Sequence, residues 1–183
     1  MLFRSDKDKN PLPILISREP RGLMALASET EFLAGKYAGL QGGLIWPGKP
    51  GVDIPKVREL SEEEAALYAH GSDLYAGLCV GCHQPSGRGN QGLAPPLRRS
   101  PFVLGDEQWL SRVLLHGLSG EIKVMGTTWD QEMPGVAGTD RDIAAILTYI
   151  RREWGHTGEP VKVSTVETVR AACGERQHAW TVS

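Results

Sequence analysis

The spacing of apolar and polar residues predicts three helices in the second half of the chain. The first begins after Ser61, which stands three residues before Glu64 in the arrangement of a capping box. Its apolar positions recur at intervals of three and four residues, so one face of the helix should be buried. Those positions are Tyr68, Gly71, Leu74, Tyr75 and Leu78. A glycine within a helix costs about 1 kcal/mol relative to alanine, and we therefore expect another helix to cross closely at Gly71.

The second and third helices have equally clear ends. The second begins at Asp106, a favourable N-cap residue, and ends at Gly117. The third begins at Thr139, with Asp142 three residues further on, and ends at Gly155. The apolar face of the third helix consists of Ile143, Ile146, Leu147 and Ile150. The three helices therefore present apolar faces to a common core.

Long loops are expected between these helices. Residues 84–105 and 118–138 contain no convincing run of alternating apolar and polar positions, so they predict loops rather than strands. The chain also has 22 glycines and 12 prolines among its 183 residues, without any period. The fold class that follows is all-α, with loop-rich connections.

Composition divides the chain into four parts. Residues 47–57 contain three prolines and two glycines, which predicts an extended linker. The linker follows an N-terminal extension of unknown role, residues 1–46, with one helix expected around residues 20–33. A helical domain is expected at residues 58–160, followed by a polar C-terminal tail at residues 161–183.

Charge and composition exclude several classes of protein. There are 20 Lys and Arg residues against 22 Asp and Glu, and this net charge of −2 argues against nucleic acid as a main partner. No stretch approaches the ~18 apolar residues of a membrane-spanning helix. Three cysteines are too few for a disulfide scaffold. The first residues lack the apolar run of a signal peptide, because Pro11 and Pro13 interrupt it, and taken alone they predict a cytoplasmic protein.

A short motif directly after the first helix changes that picture. Cys79-Val80-Gly81-Cys82-His83 has the C-x-x-C-H pattern of c-type haem attachment. In this chemistry the two thiols add across the two vinyl groups of haem, and the adjacent histidine reaches the iron as an axial ligand.

Three other interpretations of the motif stay open at this point. A thioredoxin-like C-x-x-C would follow a strand and begin a helix, whereas this pair follows a helix. A zinc site needs a second pair of ligands, and Cys173 stands alone in the sequence. A disulfide between Cys79 and Cys82 is the third alternative, in an oxidising compartment.

With the helix pattern around it, the motif resembles the monohaem, class I cytochrome c family. The resemblance covers Glu59 to Val161, a little over half of the chain. It is carried by Gly71-x-x-x-Tyr75-x-x-x-Cys79-x-x-Cys82-His83, by Pro95-Pro96-Leu97, by Met133-Pro134 and by the helix from Ile143 to Trp154. It implies a class I cytochrome c fold, in which helices wrap one covalently bound haem c and the first and last helices cross near Gly71 and Tyr149.

The resemblance also implies a second axial ligand. Members of the family commonly use a methionine in the loop before the last helix, where this chain has Met133. A thioether ligand raises the reduction potential of the haem. Met125 is the rival, although a glycine follows it instead of a proline. A third alternative has no methionine ligand, with His116 as one substitute.

Further residues acquire roles from the resemblance. The carbonyl of Pro95 would accept a hydrogen bond from the axial histidine, which fixes the orientation of the ring. Leu97 would pack against the haem edge, and Trp129 would donate to a haem propionate. Arg98 and Arg99 are additional candidates for the propionates, with a solvated surface role equally open.

A haem with two protein ligands has no coordination site for a substrate, so the resemblance implies an electron carrier and not an enzyme. Haem attachment of this kind takes place outside the cytoplasmic membrane. We therefore expect a periplasmic or otherwise exported protein, whose signal peptide has been removed or belongs to a longer parent. The alternative is a haem enzyme, or a gas or redox sensor, with an open sixth coordination site.

A narrower likeness suggests the redox partners. The segment 114–118, together with Met133-Pro134 and the last helix, is similar to cytochrome c domains associated with bacterial periplasmic quinoprotein-type dehydrogenases. This likeness implies a dehydrogenase as electron donor and a respiratory protein as acceptor. It also allows for the chain being a module of a larger dehydrogenase.

Overall fold

The computed structural model divides the chain into two units, residues 1–57 and 58–183. The residues it describes are 14–15, 19–45, 49–51, 58–176 and 178–181. Most of the expected linker at residues 47–57 lies outside these ranges, and its extended conformation stays a prediction. Among the described residues, no helix is long and apolar enough to cross a membrane.

The described residues of the first unit form two helices and a pair of two-residue strands. In chain order these are β1 (Ile14–Leu15), α1 (Arg21–Ala27), α2 (Glu31–Gln41) and β2 (Leu44–Ile45). The expectation of one helix around residues 20–33 is wrong, because residues 28–30 are not helical and separate α1 from α2. Thr30 caps the second helix there by accepting a hydrogen bond from the Leu33 N–H at 3.2 Å. The strands β1 and β2 pair in parallel.

The second unit is built mainly from helices. They are α3 (Glu62–Leu78), α4 (Val80–His83), α5 (Pro101–Leu104), α6 (Glu107–His116), α7 (Asp140–Arg152) and α8 (Val163–Cys173), with a 3₁₀ turn at Glu153–Gly155. The three helices predicted from the sequence are α3, α6 and α7. Capping boxes begin α3 and α7, and the Asp106 side chain accepts from Gln108 N–H at the start of α6.

The buried face of α3 differs from the predicted stripe at both ends. Gly71 and Tyr75 are buried as expected, but Leu78 is 59% exposed. Leu67, which the stripe did not include, is buried in the core instead. Leu78 is the last residue of α3.

The two long helices α3 and α7 pack at the crossing that the resemblance implied. A β carbon added to Gly71 would lie 2.0 Å from the carbonyl oxygen of Ala145 and 2.9 Å from the β carbon of Tyr149. Only a residue without a side chain lets the two backbones approach so closely. Packing of this kind buries Ile143, Ala144, Ala145, Ile146, Leu147 and Ile150 of α7.

Short strands occupy the region that the sequence predicts as a loop at 118–138. They are β3 (Gly117–Ser119), β4 (Ile122–Val124), β5 (Thr127–Trp129) and β6 (Met133–Pro134), with β7 (Trp180–Thr181) near the end of the chain. β4 and β5 form an antiparallel hairpin, and β3 lies between β6 and β7 in a three-stranded sheet. At two or three residues each, these strands are too short to show alternation in the sequence.

The segment expected as a polar tail at residues 161–183 includes a helix and a strand. Val161, Val166 and Val169 are all buried, and the first two belong to the same core cluster as α7. Thr148 of α7 fixes the entry to α8, since its hydroxyl accepts from the Val161 N–H at 3.0 Å. The described part of this segment therefore contributes to the core of the second unit.

Candidate functional site

A large cavity opens in the second unit beside α3, α4, α6 and α7. The empty space inside it, including the part that is open to solvent, is about 1070 Å³. Most of its wall is aliphatic or aromatic, as burial of a large apolar group requires. Seven of the site residues expected from the sequence line it, namely Cys79, Cys82, His83, Pro95, Leu97, Trp129 and Met133.

The ring of His83 is held in one orientation in the wall of this cavity. The side chain is buried, and its Nδ1 lies 3.0 Å from the carbonyl oxygen of Pro95. Because a carbonyl only accepts, Nδ1 carries the proton and Nε2 keeps its lone pair, which is the form that binds a metal. Burial also lowers the pKa of His83 below its usual value, which favours the neutral ring.

The two cysteines of the motif line the cavity, and no disulfide joins them. Cys79 is half-buried and Cys82 is exposed. Burial, and then the neighbouring Cys82, raises the pKa of Cys79 to about 11. An unactivated thiol of this kind lacks the lowered pKa of a redox-active C-x-x-C pair.

Aromatic side chains from α3 and the end of α7 anchor the loop that carries Pro95. The hydroxyl of Tyr75 donates to the Gln84 carbonyl at 2.8 Å, and Nε1 of Trp154 donates to the Pro85 carbonyl at 3.0 Å. The rings of Tyr75 and Trp154 also pack edge to face, with centroids 5.5 Å apart. These contacts fix the beginning of the loop directly after the motif.

His156 anchors the other end of the same loop. Its Nε2 accepts a hydrogen bond from the Arg99 N–H at 2.8 Å, and its Nδ1 donates to the Ile150 carbonyl at 2.6 Å. Arg99 and Trp154 both adopt left-handed backbone conformations, with φ of 61° and 55°. Non-glycine residues hold such conformations only where surrounding contacts fix them. The sequence reading missed His156, because a single histidine after a helix carries no pattern.

Met133 enters the cavity wall from a strand. It is half-buried in β6, which pairs with β3 in the register Leu118 to Met133. The pairing depends on Gly117, whose φ is +85° and whose missing β carbon would lie 2.3 Å from the Met133 carbonyl oxygen. Met125, the rival ligand, occupies the tip of the β4–β5 hairpin, is 52% exposed and does not line the cavity.

The indole of Trp129 provides a direct test of whether these walls suit a haem. Its Nε1 is buried, and no hydrogen-bond acceptor meets it among the described residues. A buried donor without a partner costs about 1–3 kcal/mol, and a ligand that carries an acceptor would remove this cost. A haem, which is apolar across its ring and has carboxylates at one edge, fits both the apolar wall and this donor.

The other candidates from the sequence lie elsewhere. Arg98 and Arg99 are half-buried but do not line the cavity, and neither does His116, whose Nδ1 lies 3.2 Å from the Arg176 carbonyl. In the described part of the chain, no three His, Cys, Asp or Glu side chains form a group that could hold a metal ion. The zinc interpretation of the motif therefore lacks the ligands it needs.

Comparison with known proteins gives a concordant result. Residues 68–154 match the protein family described as Cytochrome c. A cytochrome c-552 of Thermus thermophilus is 38% identical over 96 residues, which are 50% of this chain and 64% of that relative. A second cytochrome c-552 of the same species is 39% identical over 92 residues, 48% of this chain and 70% of the relative. The chain belongs to the cytochrome c family.

As a cytochrome c, the protein carries haem c on the cysteines of its C-x-x-C-H motif, Cys79 and Cys82. The fold expected from the resemblance is confirmed. The thioredoxin-like, zinc and disulfide interpretations are thereby excluded. The alignment spans a little under two thirds of the first relative, and residues 1–57 lie outside the family match.

Proposed function

We propose that this cytochrome c is a one-electron carrier whose iron is held by His83 and Met133. The observation that carries the proposal is that both side chains line the same cavity as the attachment cysteines. A haem bound there supplies a single Fe(III)/Fe(II) couple, and histidine–methionine ligation places its potential on the high side. The rigid loop behind Pro95 keeps the imidazole in place, which favours electron transfer with little rearrangement.

Electrons would enter and leave at the mouth of the cavity. Cys82 and Leu93 both line the cavity and are exposed, Leu93 by 45%. A partner protein can therefore approach the attachment side of the cavity without any movement of the chain. Around the rest of the cavity, buried side chains of α6 and α7 exclude water.

Carbon monoxide binding to the reduced protein tests the proposed ligation. We expect no rapid shift of the Soret band, because Met133 occupies the coordination site that the gas needs, and we expect a reversible one-electron redox titration. Rapid binding of carbon monoxide by the wild-type protein would contradict the proposal and favour the open-site enzyme or sensor.

The proposed donor is a quinoprotein-type dehydrogenase, and the proposed acceptor is a respiratory protein, in the periplasm or an equivalent exported compartment. The similarity of residues 114–118 to cytochrome c domains of quinoprotein-type dehydrogenases supports this donor. The attachment of haem c outside the cytoplasmic membrane supports the compartment. Mixing the oxidised protein with such a dehydrogenase should reduce it only when the enzyme's substrate is added. Absence of reduction would remove the donor assignment and leave the carrier function standing.

A further inference from the structure

The strand β7 joins the sheet that positions Met133. Leu118 lies in the middle of this sheet, with Met133 of β6 paired on one side and Trp180 of β7 on the other. The two pairings use the same residue of β3, so the position of Leu118 is set from both edges. Leu118 itself is buried and lines the cavity.

Trp180 and Met133 also share one hydrophobic cluster. Its buried members are Val113, Leu118, Ile122 and Val124, and the side chains packed against them include Trp129, Met133 and Trp180. The indole of Trp180 therefore supports the wall from which Met133 reaches the cavity.

A local network holds Trp180 in this position. The guanidinium carbon of Arg176 lies 3.8 Å from the centre of its indole, and that of Arg112 lies 5.9 Å away. Arg176 also donates to the carbonyl groups of His178 and Ala179, at 2.8 and 3.3 Å, which shapes the turn into the strand. Within the described residues, Nε1 of Trp180 meets no hydrogen-bond partner, so ring packing holds the side chain.

The strand lies outside the part of the chain that matches the family, which ends at residue 154. β6 contains only two residues, and so short a pairing opens at low free-energy cost. A third strand on the far edge of β3 raises that cost. We propose that Trp180 is a positioning residue that keeps Met133 in the cavity by restraining β3, an inference that rests on the proposed ligation by Met133.

Cyanide binding to the oxidised holoprotein tests this inference, because cyanide enters only when the methionine site opens. For Trp180→Ala we expect cyanide to bind about tenfold faster than in the wild type. Trp180→Phe, which keeps a packing ring and lacks the unpaired N–H, should restore the rate to within about twofold. Thr181→Ala, an exposed neighbour on the same strand, is the matched control and should behave as the wild type.

Low concentrations of urea separate positioning from general stability. If Trp180 acts locally, the faster rate of Trp180→Ala stays nearly independent of urea below the unfolding transition, because little surface is exposed on opening. A rate that rises steeply with urea, or a wild-type rate in Trp180→Ala, would overturn the inference. Met133→Ala provides the separate check: if that variant also binds cyanide at the wild-type rate, the proposed ligation is what fails.

Discussion

Gly71 and Ala145 bring the backbones of α3 and α7 into direct contact. A β carbon on Gly71 would meet the carbonyl oxygen of Ala145 at 2.0 Å, a distance that real side chains do not reach. Next to this contact the rings of Tyr75 and Tyr149 pack with centroids 5.1 Å apart. The crossing therefore sets the position of Tyr75, whose hydroxyl holds the loop after the haem-attachment motif.

Replacement of Gly71 by alanine should destabilise the protein despite the better helix propensity of alanine. The gain of about 1 kcal/mol from propensity is outweighed by a clash with backbone atoms, and overpacking of this kind costs about 1–3 kcal/mol. We expect the free energy of unfolding in urea to fall by up to about 2 kcal/mol. Gly77 of the same helix has no atom within 4 Å of the added carbon, so Gly77→Ala should be neutral or stabilising. Equal effects of the two substitutions would show that the crossing tolerates a side chain.

Trp129→Phe should alter the titration of a haem propionate. The substitution keeps an aromatic ring in the cavity wall but removes the buried N–H that lacks a partner in the described residues. A hydrogen bond to an ionised carboxylate lowers its pKa, so its loss should move the pH-dependent step of the reduction potential to higher pH. Trp109→Phe is the control and should leave the step unchanged. Trp109 also lines the cavity, and the centroid of its ring lies 5.4 Å from that of Phe102. Potentiometry at several pH values gives the answer, and an unchanged step in Trp129→Phe would remove the assigned role.

The protein should lose stability in mild acid through His156. Burial lowers the pKa of this histidine, and the positive charges of Arg98 and Arg151 lower it further. The hydrogen bond to the Ile150 carbonyl and the charge of Glu153 raise the pKa, but the net shift is downward. Protonation of Nε2 removes the acceptor for the Arg99 N–H. The pKa of His156 in the folded state lies below its value of about 6.5 in the unfolded state. The contribution of neutral His156 to the free energy of unfolding is therefore complete above about pH 6.5 and is lost as the pH falls through the folded-state pKa.

His156→Gln isolates this effect, since glutamine does not titrate. We expect the variant to be less stable than the wild type at pH 8 by about 1–2 kcal/mol, because a buried hydrogen-bonded contact is disturbed. Between pH 8 and pH 5 the difference between the two proteins should shrink. Urea unfolding across this range measures it, and parallel stability curves would mean that His156 takes no part in the acid response.

The sequence predicted those elements whose signals are local. Capping residues and apolar spacing located α3, α6 and α7, and the C-x-x-C-H motif located the attachment cysteines. The break at residues 28–30 was missed, although Thr30 is a favourable N-cap, because the apolar spacing continues through it. The helix α8 was missed because its N-cap, Lys162, makes no side-chain capping bond and its few valines suggested only isolated anchors.

Tertiary contacts determine the features that the sequence could not supply. Nothing in the neighbourhood of Met133 indicates that it pairs with Leu118, and nothing near Trp180 indicates a strand on the other edge of the same sheet. His156 and Arg99 likewise meet across 57 positions of the chain. Such pairings follow from the packing of whole elements, which local spacing does not record.

The near-infrared sulfur–iron band of the oxidised protein tests the central claim most directly. The account predicts that the wild type shows this band, that Met133→Ala loses it, and that Met125→Ala keeps it at full intensity, because Met125 is exposed at a hairpin tip. Retention of the band in Met133→Ala, or its loss in Met125→Ala, would contradict ligation of the iron by Met133.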